Sequence, residues 1–233
     1  MKPSRAVLLD VDGTLVDCAG AGRRAIEQAV RDHCGLPDGP LAALRMDGST
    51  DRLIVREALA LLSRPFSEDA CDAVLALHVA RLAAELVDDD DAFRVLPGVV
   101  EALDALRARG VAYGLCTGNV AEAARLKLRR GGLDSYFEWT PQAIAGFASD
   151  GEARERIVAA ALDRARARLG DLAPSQALVV GDTPRDIEAA RRVGCPVLAV
   201  ATGRYGVDAL RACGADHVVE TLAEPVALRL LLG

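Results

Sequence analysis

The sequence predicts an α/β protein, a doubly wound parallel sheet with an α-helical domain inserted after its first strand. Three observations carry that prediction. Short, continuously apolar runs recur along the chain, helix-period segments lie between them, and one long interval near the start holds helical patterns only. With 233 residues, 51% hydrophobic and 27% charged, the chain can bury a sizeable core as one large domain or one domain with a smaller insert.

The first run, Ala6 to Leu9, ends in Asp10 and has the unbroken apolar character of a strand buried on both faces. The interval that follows breaks the strand–helix alternation. Segments 19–33, 50–62 and 68–87 show helical spacing, separated by Gly35-Leu36-Pro37-Asp38-Gly39-Pro40 and by Ser63-Arg64-Pro65. An acidic run at 88–91 then reads as a solvated linker, because adjacent like charges repel. Beyond it, helical segments 99–109, 120–130, 154–169 and 185–193 alternate with strand-like runs 111–116, 177–180 and 197–200 and a weaker one at 217–219. Gly110, Gly170 and Gly194 close three of the helices. Such alternation implies parallel pairing through right-handed crossovers. The expected organisation is a core of residues 1–17 and 95–233 with a helical cap domain of residues 18–94.

A net charge of -6 gives the molecule no general attraction to a nucleic-acid backbone or an anionic membrane, and 3% aromatic residues leave little for base stacking. No apolar run approaches the roughly 20 residues of a membrane span. Met1-Lys2-Pro3-Ser4-Arg5 leads directly into the first strand pattern, so a cytoplasmic protein is expected. The six cysteines are scattered without zinc-ligand spacing and read as reduced small hydrophobes. A small-molecule partner fits these features; oligomeric state leaves no mark in the sequence.

Two acid pairs and one polar turn stand where strands end. Asp10-Val11-Asp12-Gly13-Thr14 follows the first strand, the end of an open sheet at which ligands gather. A calcium loop would place its glycine sixth rather than fourth, so that reading fails, while a plain turn stays open. Gly181-Asp182-Thr183-Pro184-Arg185-Asp186 repeats the arrangement. Thr183 can cap the next helix with Pro184 in its first position, and Asp186 can complement the dipole. Asp182 lies before the cap, level with Asp10. Carboxylates converging there would repel unless a hard divalent cation sat among them, and all-oxygen ligation suits Mg²⁺. Thr117-Gly118-Asn119, after another strand, offers a hydroxyl and successive amides at a helix start, either an anion site or an ordinary turn.

Taken together, DxDGT, the strand-end threonine and GDxxxD, with helices between the first motif and the second strand, resemble the haloacid dehalogenase-like (HAD) hydrolase superfamily over nearly the whole chain, and its phosphatase branch in particular, phosphoglycolate phosphatases included. The resemblance implies that Asp10 is a nucleophile forming an aspartyl-phosphate and that Asp12 is the acid and base serving the leaving group and water. It implies that Thr117, Gly118 and Asn119 hold phosphoryl oxygens. Asp182 would ligate Mg²⁺ together with Asp10 and the backbone carbonyl of Asp12, with Asp186 in support directly or through water. The family's usual lysine is missing: this chain has only Lys2 and Lys127, and Lys127 lies on the wrong helix. Arg154, near the start of the helix before the fourth strand, is the expected replacement for the positive charge, since arginine can pair with carboxylate or phosphate, with Arg156 behind it.

The second acid of DxD argues against dehalogenase chemistry, and the absence of lysine from 19–94 argues against phosphonate cleavage through a Schiff base. Sugar phosphomutases share the core motifs and stay as the alternative, beside a non-catalytic binding or regulatory protein. Gly20-Ala21-Gly22-Arg23-Arg24-Ala25 mimics a dinucleotide fingerprint but does not follow its strand directly. His33, His78 and His217 read as structural or exposed, and Gly48-Ser49-Thr50-Asp51 as a turn with a helix cap that could face the substrate.

Overall fold

The computed structural model of the chain describes residues 5–37, 39, 41–88 and 92–233. In chain order its elements are β1 (Ala6–Leu9), β2 (Val16–Asp17), α1 (Ala21–Cys34), α2 (Asp51–Leu61), α3 (Glu68–Asp88), β3 (Arg94–Val95), α4 (Val99–Arg109), β4 (Ala112–Cys116), α5 (Ala121–Arg130), β5 (Ala145–Gly146), α6 (Arg154–Leu169), β6 (Ala177–Gly181), α7 (Pro184–Val193), β7 (Val197–Val200), α8 (Val207–Ala212), β8 (His217–Val219) and α9 (Pro225–Leu232). Six strands form one parallel sheet in the order β5-β4-β1-β6-β7-β8. The expected doubly wound sheet is therefore present, with β1 at its centre.

Registers fix what lies beside what. Leu9 pairs with Leu115 on one side and Val180 on the other, so the ends of β1, β4 and β6 lie level. Successive strand side chains point to opposite faces. Ala6 and Leu8 pack with α6 and α7, whereas Val7 and Leu9 pack with α4, α5 and α9. Leu8 and Leu9 are at most 1% exposed, and such burial contributes about 1.5–3 kcal/mol each.

The chain leaves the sheet through β2 and returns through β3, which pair antiparallel, Val16 opposite Val95. An ion pair of 2.5 Å joins Asp17 to Arg94 across this ribbon. Between the two strands α1 packs along α3, joined by Arg24–Glu85 at 2.6 Å and Arg81–Asp32 at 2.7 Å. Of the acidic run read as a linker, Asp88 ends α3 and 89–91 lie outside the described residues, as do 1–4 at the start and positions 38 and 40 of the first separator.

Several short elements carry no sequence signal. β2, β3 and β5 have two residues each, too few for a period, and α8 has six. The helix α9 reads PVALRLLL, nearly all apolar, so its pattern does not distinguish helix from strand. The cysteines are all free, but Cys213 is exposed rather than buried, which departs from the expected apolar packing.

Candidate active site

Because β1 and β6 are neighbours in register, Asp10 and Asp182 emerge side by side, and the Asp10 amide donates to the Val180 carbonyl at 2.9 Å. This is where the sheet order reverses, with β4 on one flank of β1 and β6 on the other. Asp186, in the first turn of α7, completes a triad. Asp10, Asp182 and Asp186 are 5%, 4% and 2% exposed, and each offers an oxygen within 4.8 Å of the others. The backbone of Gly13 makes the approach possible. Its φ is +75°, and a Cβ there would meet Asp182 Oδ2 at 2.3 Å. The Thr14 hydroxyl donates to Asp182 Oδ1 at 3.3 Å.

One cation faces these three acids. Arg154, the first residue of α6, pairs with Asp10 at 2.9 Å and Asp186 at 2.5 Å. Arg156 is exposed and lines no part of the cavity. Thr183 caps α7, and Asp186 Oδ2 in turn accepts from the Thr183 amide at 3.0 Å and its hydroxyl at 2.6 Å. Burial, against the pull of Arg154 and with Asp186 and Asp12 adding repulsion, lifts Asp10 to about 6. Burial and the same crowding push Asp182 upward as well. Three buried carboxylates beside one guanidinium are short of positive charge, so this donor set fits a hard divalent cation.

Asp12 has different company. Lys127 Nζ donates to Asp12 Oδ1 at 2.9 Å, to Asp12 Oδ2 at 2.7 Å and to Asn119 Oδ1 at 2.6 Å, which occupies all three of its protons. Asn119 Nδ2 donates to Asp12 Oδ2 and to Thr117 Oγ1, both at 2.8 Å. The Asn119 side chain therefore bridges the acid, the lysine and the threonine, and its amide also leans on Thr117 Oγ1 at 3.4 Å. Burial works against ionisation of Asp12, but Lys127 and Asn119 outweigh it and hold the carboxyl below its usual range.

The segment between β2 and β3 closes the site. Thr50 caps α2 by accepting from the Leu53 amide and donates to the Glu152 carbonyl at 2.9 Å. The Asp51 amide donates to the Gly118 carbonyl at 2.7 Å, and Asp51 Oδ2 accepts from the Val120 amide at 2.8 Å. Gly118 is required here, since a Cβ would meet the Ser49 carbonyl at 2.3 Å. Arg56 grips Glu152 and Arg204 pairs with Asp47 at 2.5 Å, tying α2 and the loop before it to the core. A cavity of about 300 Å³ remains, lined by Asp10, Asp12, Thr117, Asp182 and Arg154 below and by Ser49, Ile54 and His78 above.

Among the lining residues that the motifs do not include are Lys127 and His78. Both interrupt the apolar stripe of a helix. Lys127 falls on the buried face of α5 with Ala123, Ala124 and Leu128, and His78 on that of α3 with Cys71, Val74, Leu75 and Leu82. A polar residue at such a position is the signal that could have found them.

The chain matches the model of the haloacid dehalogenase-like hydrolases over residues 4–194. It is 31% identical to the phosphoglycolate phosphatase of Rhodospirillum rubrum over 94% of this chain and 88% of that one. The plasmid phosphoglycolate phosphatase of Cupriavidus necator is 33% identical over 97% and 93%. Among solved structures, CbbY from Rhodobacter sphaeroides in complex with phosphate superposes with a TM-score of 0.73 at 17% identity, over 97% of this chain and 99% of that one. No helix among the described residues is long and apolar enough to cross a membrane. A central strand ending in DxDGT, its neighbour ending in GDxxxD and a family match spanning both make this chain a member of the haloacid dehalogenase-like hydrolases.

Proposed function

We propose that this chain is a Mg²⁺-dependent phosphomonoester hydrolase that acts on a small organic phosphate through an aspartyl-phosphate, with residues 18–94 as its cap. The observation that carries this reading is the packing of Asp10, Asp182 and Asp186 within 4.8 Å of one another at the base of a cavity of about 300 Å³. Asp10 and Asp182 would hold the cation with the backbone carbonyl of Asp12. Asp186, whose oxygens already serve Thr183 and Arg154, would support it less directly. Bound there, Mg²⁺ supplies the positive charge that three acids lack and lowers the repulsion between a carboxylate nucleophile and a phosphate dianion.

Asp10 attacks phosphorus through a carboxylate oxygen and the ester oxygen departs with the bonding pair. Arg154 steadies Asp10 and offers charge to the phosphoryl group, and Thr117 presents its hydroxyl to a phosphoryl oxygen. Asp12 rests as a carboxylate under Lys127. A phosphate dianion arriving beside it raises its proton affinity, so Asp12 takes up a proton from solvent as the substrate binds, gives it to the leaving oxygen, and afterwards takes one from the water that attacks the aspartyl-phosphate. With the cap seated, bulk water is kept from the aspartyl-phosphate until the leaving group departs.

The test is release of inorganic phosphate from p-nitrophenyl phosphate with and without Mg²⁺. Activity that needs the metal and vanishes in Asp10→Asn supports the reading. Turnover unchanged in that variant would sink it; with a sugar phosphate in place of the nitrophenyl ester, isomerisation that needs a bisphosphate primer and releases no free phosphate would mark a mutase.

A further inference from the structure

The cavity wall opposite the acids indicates which organic group the substrate carries, an inference that rests on the hydrolase reading above. Among the described residues four cations line the cavity, and each already faces a carboxylate. Arg154 pairs with Asp10 and Asp186, and Arg204 with Asp47. Arg23 pairs with Glu27 at 2.9 Å while donating to the Leu44 carbonyl at 3.0 Å. Lys127 has its three protons on Asp12 and Asn119. A carboxylate on the substrate would have to break one of these pairs to find a countercharge.

Arg154 Nη2 and Glu27 Oε1 lack a hydrogen bond but sit in ion pairs, with Asp10 and Asp186 and with Arg23; the buried groups with no protein partner of any kind, among the described residues, are uncharged. His78 is 1% exposed, and neither ring nitrogen makes a hydrogen bond; the Ser49 hydroxyl, 8% exposed at the residue level, is also unpartnered. Both line the cavity, one from α3 and one from the turn before α2. Burial, with Lys127 adding to it, drives His78 down to about 3, so the ring is uncharged and presents one N–H donor and one acceptor nitrogen. Leaving such groups unpaired and out of water carries a desolvation cost that a ligand can remove. An alcohol both donates and accepts and so satisfies an imidazole and a serine together. A carboxylate only accepts and leaves the acceptor nitrogen bare.

We propose that His78 and Ser49 hydrogen-bond hydroxyl groups on the organic part of the substrate, which is therefore the phosphomonoester of a neutral polyhydroxy compound rather than of a hydroxy acid.

The experiment measures phosphate release with Mg²⁺ from glycerol 3-phosphate and ribose 5-phosphate, from phosphoglycolate, and from propyl phosphate, which has no second polar group. At least one polyol ester should exceed both phosphoglycolate and propyl phosphate about tenfold or more in kcat/KM, tenfold being the net worth of a single hydrogen bond. In His78→Leu the polyol-to-propyl ratio should fall about tenfold, and His78→Gln, which keeps a donor and an acceptor, should retain more of it. Phosphoglycolate outrunning every polyol ester, or a ratio unmoved by His78→Leu and Ser49→Ala, overturns the proposal. His78→Leu should also melt no lower than the parent; a fall of more than about 5 °C would assign the ring to the fold instead of to a ligand. Phosphate release from none of these esters, nor from p-nitrophenyl phosphate, would instead defeat the hydrolase reading itself, and this inference with it.

Discussion

Asp10 and Asp12 are separated by one residue, and their carboxyl groups are pushed in opposite directions. Asp10 rises to about 6 because it is buried and shares a single guanidinium with Asp186. Asp12 falls below its ordinary range because Lys127 serves it with two hydrogen bonds and Asn119 adds a third. Its side chain is also 46% exposed, open to the cavity, while that of Asp10 is 7% exposed. One acid stands in a cluster that calls for an added cation, and the other is neutralised by the chain's own lysine. Environments that split two neighbouring acids in this way assign them different work. In the proposed mechanism the half around Asp10, the nucleophile, is to be completed by a cation from outside, whereas the half around Asp12 is neutralised as folded.

The largest expected effect separates the halves most sharply. If Asp10 is the nucleophile as proposed, Asp10→Asn should lower phosphate release by about 10⁴-fold or more whatever the leaving group, as losses of covalent nucleophiles do. A rate that recovers with a better leaving group would move the nucleophile elsewhere. Next comes the shared guanidinium. In Arg154→Ala two buried carboxylates lose their partner, at about 3–5 kcal/mol of stability in metal-free protein, while exposed Arg156→Ala should stay within about 0.5 kcal/mol. Chemical denaturation with and without Mg²⁺ measures both, and the metal should restore part of the Arg154 loss. Equal effects of the two arginines would break the assignment.

On the other half, Lys127→Met should expose the role of positioning Asp12. Loss of an oriented proton donor matters for an alkyl alcohol, which must leave protonated, and little for p-nitrophenolate. About a 100-fold fall in kcat/KM on an alkyl phosphate is expected, against less than about tenfold on p-nitrophenyl phosphate. A uniform fall on both would make Lys127 a merely structural residue.

How far this asymmetry could be read beforehand differs between the halves. The acids of the metal-type cluster stand at the ends of apolar strands, and order plus apolar character suffices to bring Asp10 beside Asp182, because parallel neighbours align their carboxyl ends. Arg154 was legible as a first-turn cation on the helix before the GDxxxD strand. The Asp12 half was not, because Lys127 reaches the site from the C-terminal part of α5 across a tertiary contact, and its trace in the sequence is polarity on a stripe of alanines and a leucine. Asn119 was read as a phosphate-binding amide. That its side chain turns to Lys127 and Asp12 depends on the packing of α5 against the sheet, which no local pattern encodes. His78 was hidden the same way, one residue of a well-formed helix whose partner surface lies in another layer. For the sheet itself, strands of four or five residues were legible and two-residue ones were not, since period and propensity need length to register.

The smallest prediction concerns the joint between cap and core. Asp51, at the start of α2, is 7% exposed and accepts from the Val120 amide, and burial lifts it to about 6 against the pull of Lys127 and that amide. Its folded value therefore exceeds the unfolded value of about 3.9. Below pH ~4 the group is protonated in both states and its ionisation costs nothing. As pH rises towards about 6 the unfolded chain releases the proton while the folded one retains it, so stability falls until Asp51 ionises in place. Two pKa units correspond to about 2–3 kcal/mol lost by pH 7.5. Asp51→Asn cannot ionise and escapes that loss, though its neutral oxygen accepts less strongly from Val120. Its stability relative to the parent should therefore improve by about 2 kcal/mol between pH 4 and pH 7.5, read from denaturant midpoints at the two pH values. A difference that stays flat, or runs the other way, would mean that Lys127 already stabilises Asp51 as a carboxylate, and the lysine would then belong to both halves of the site rather than to Asp12 alone.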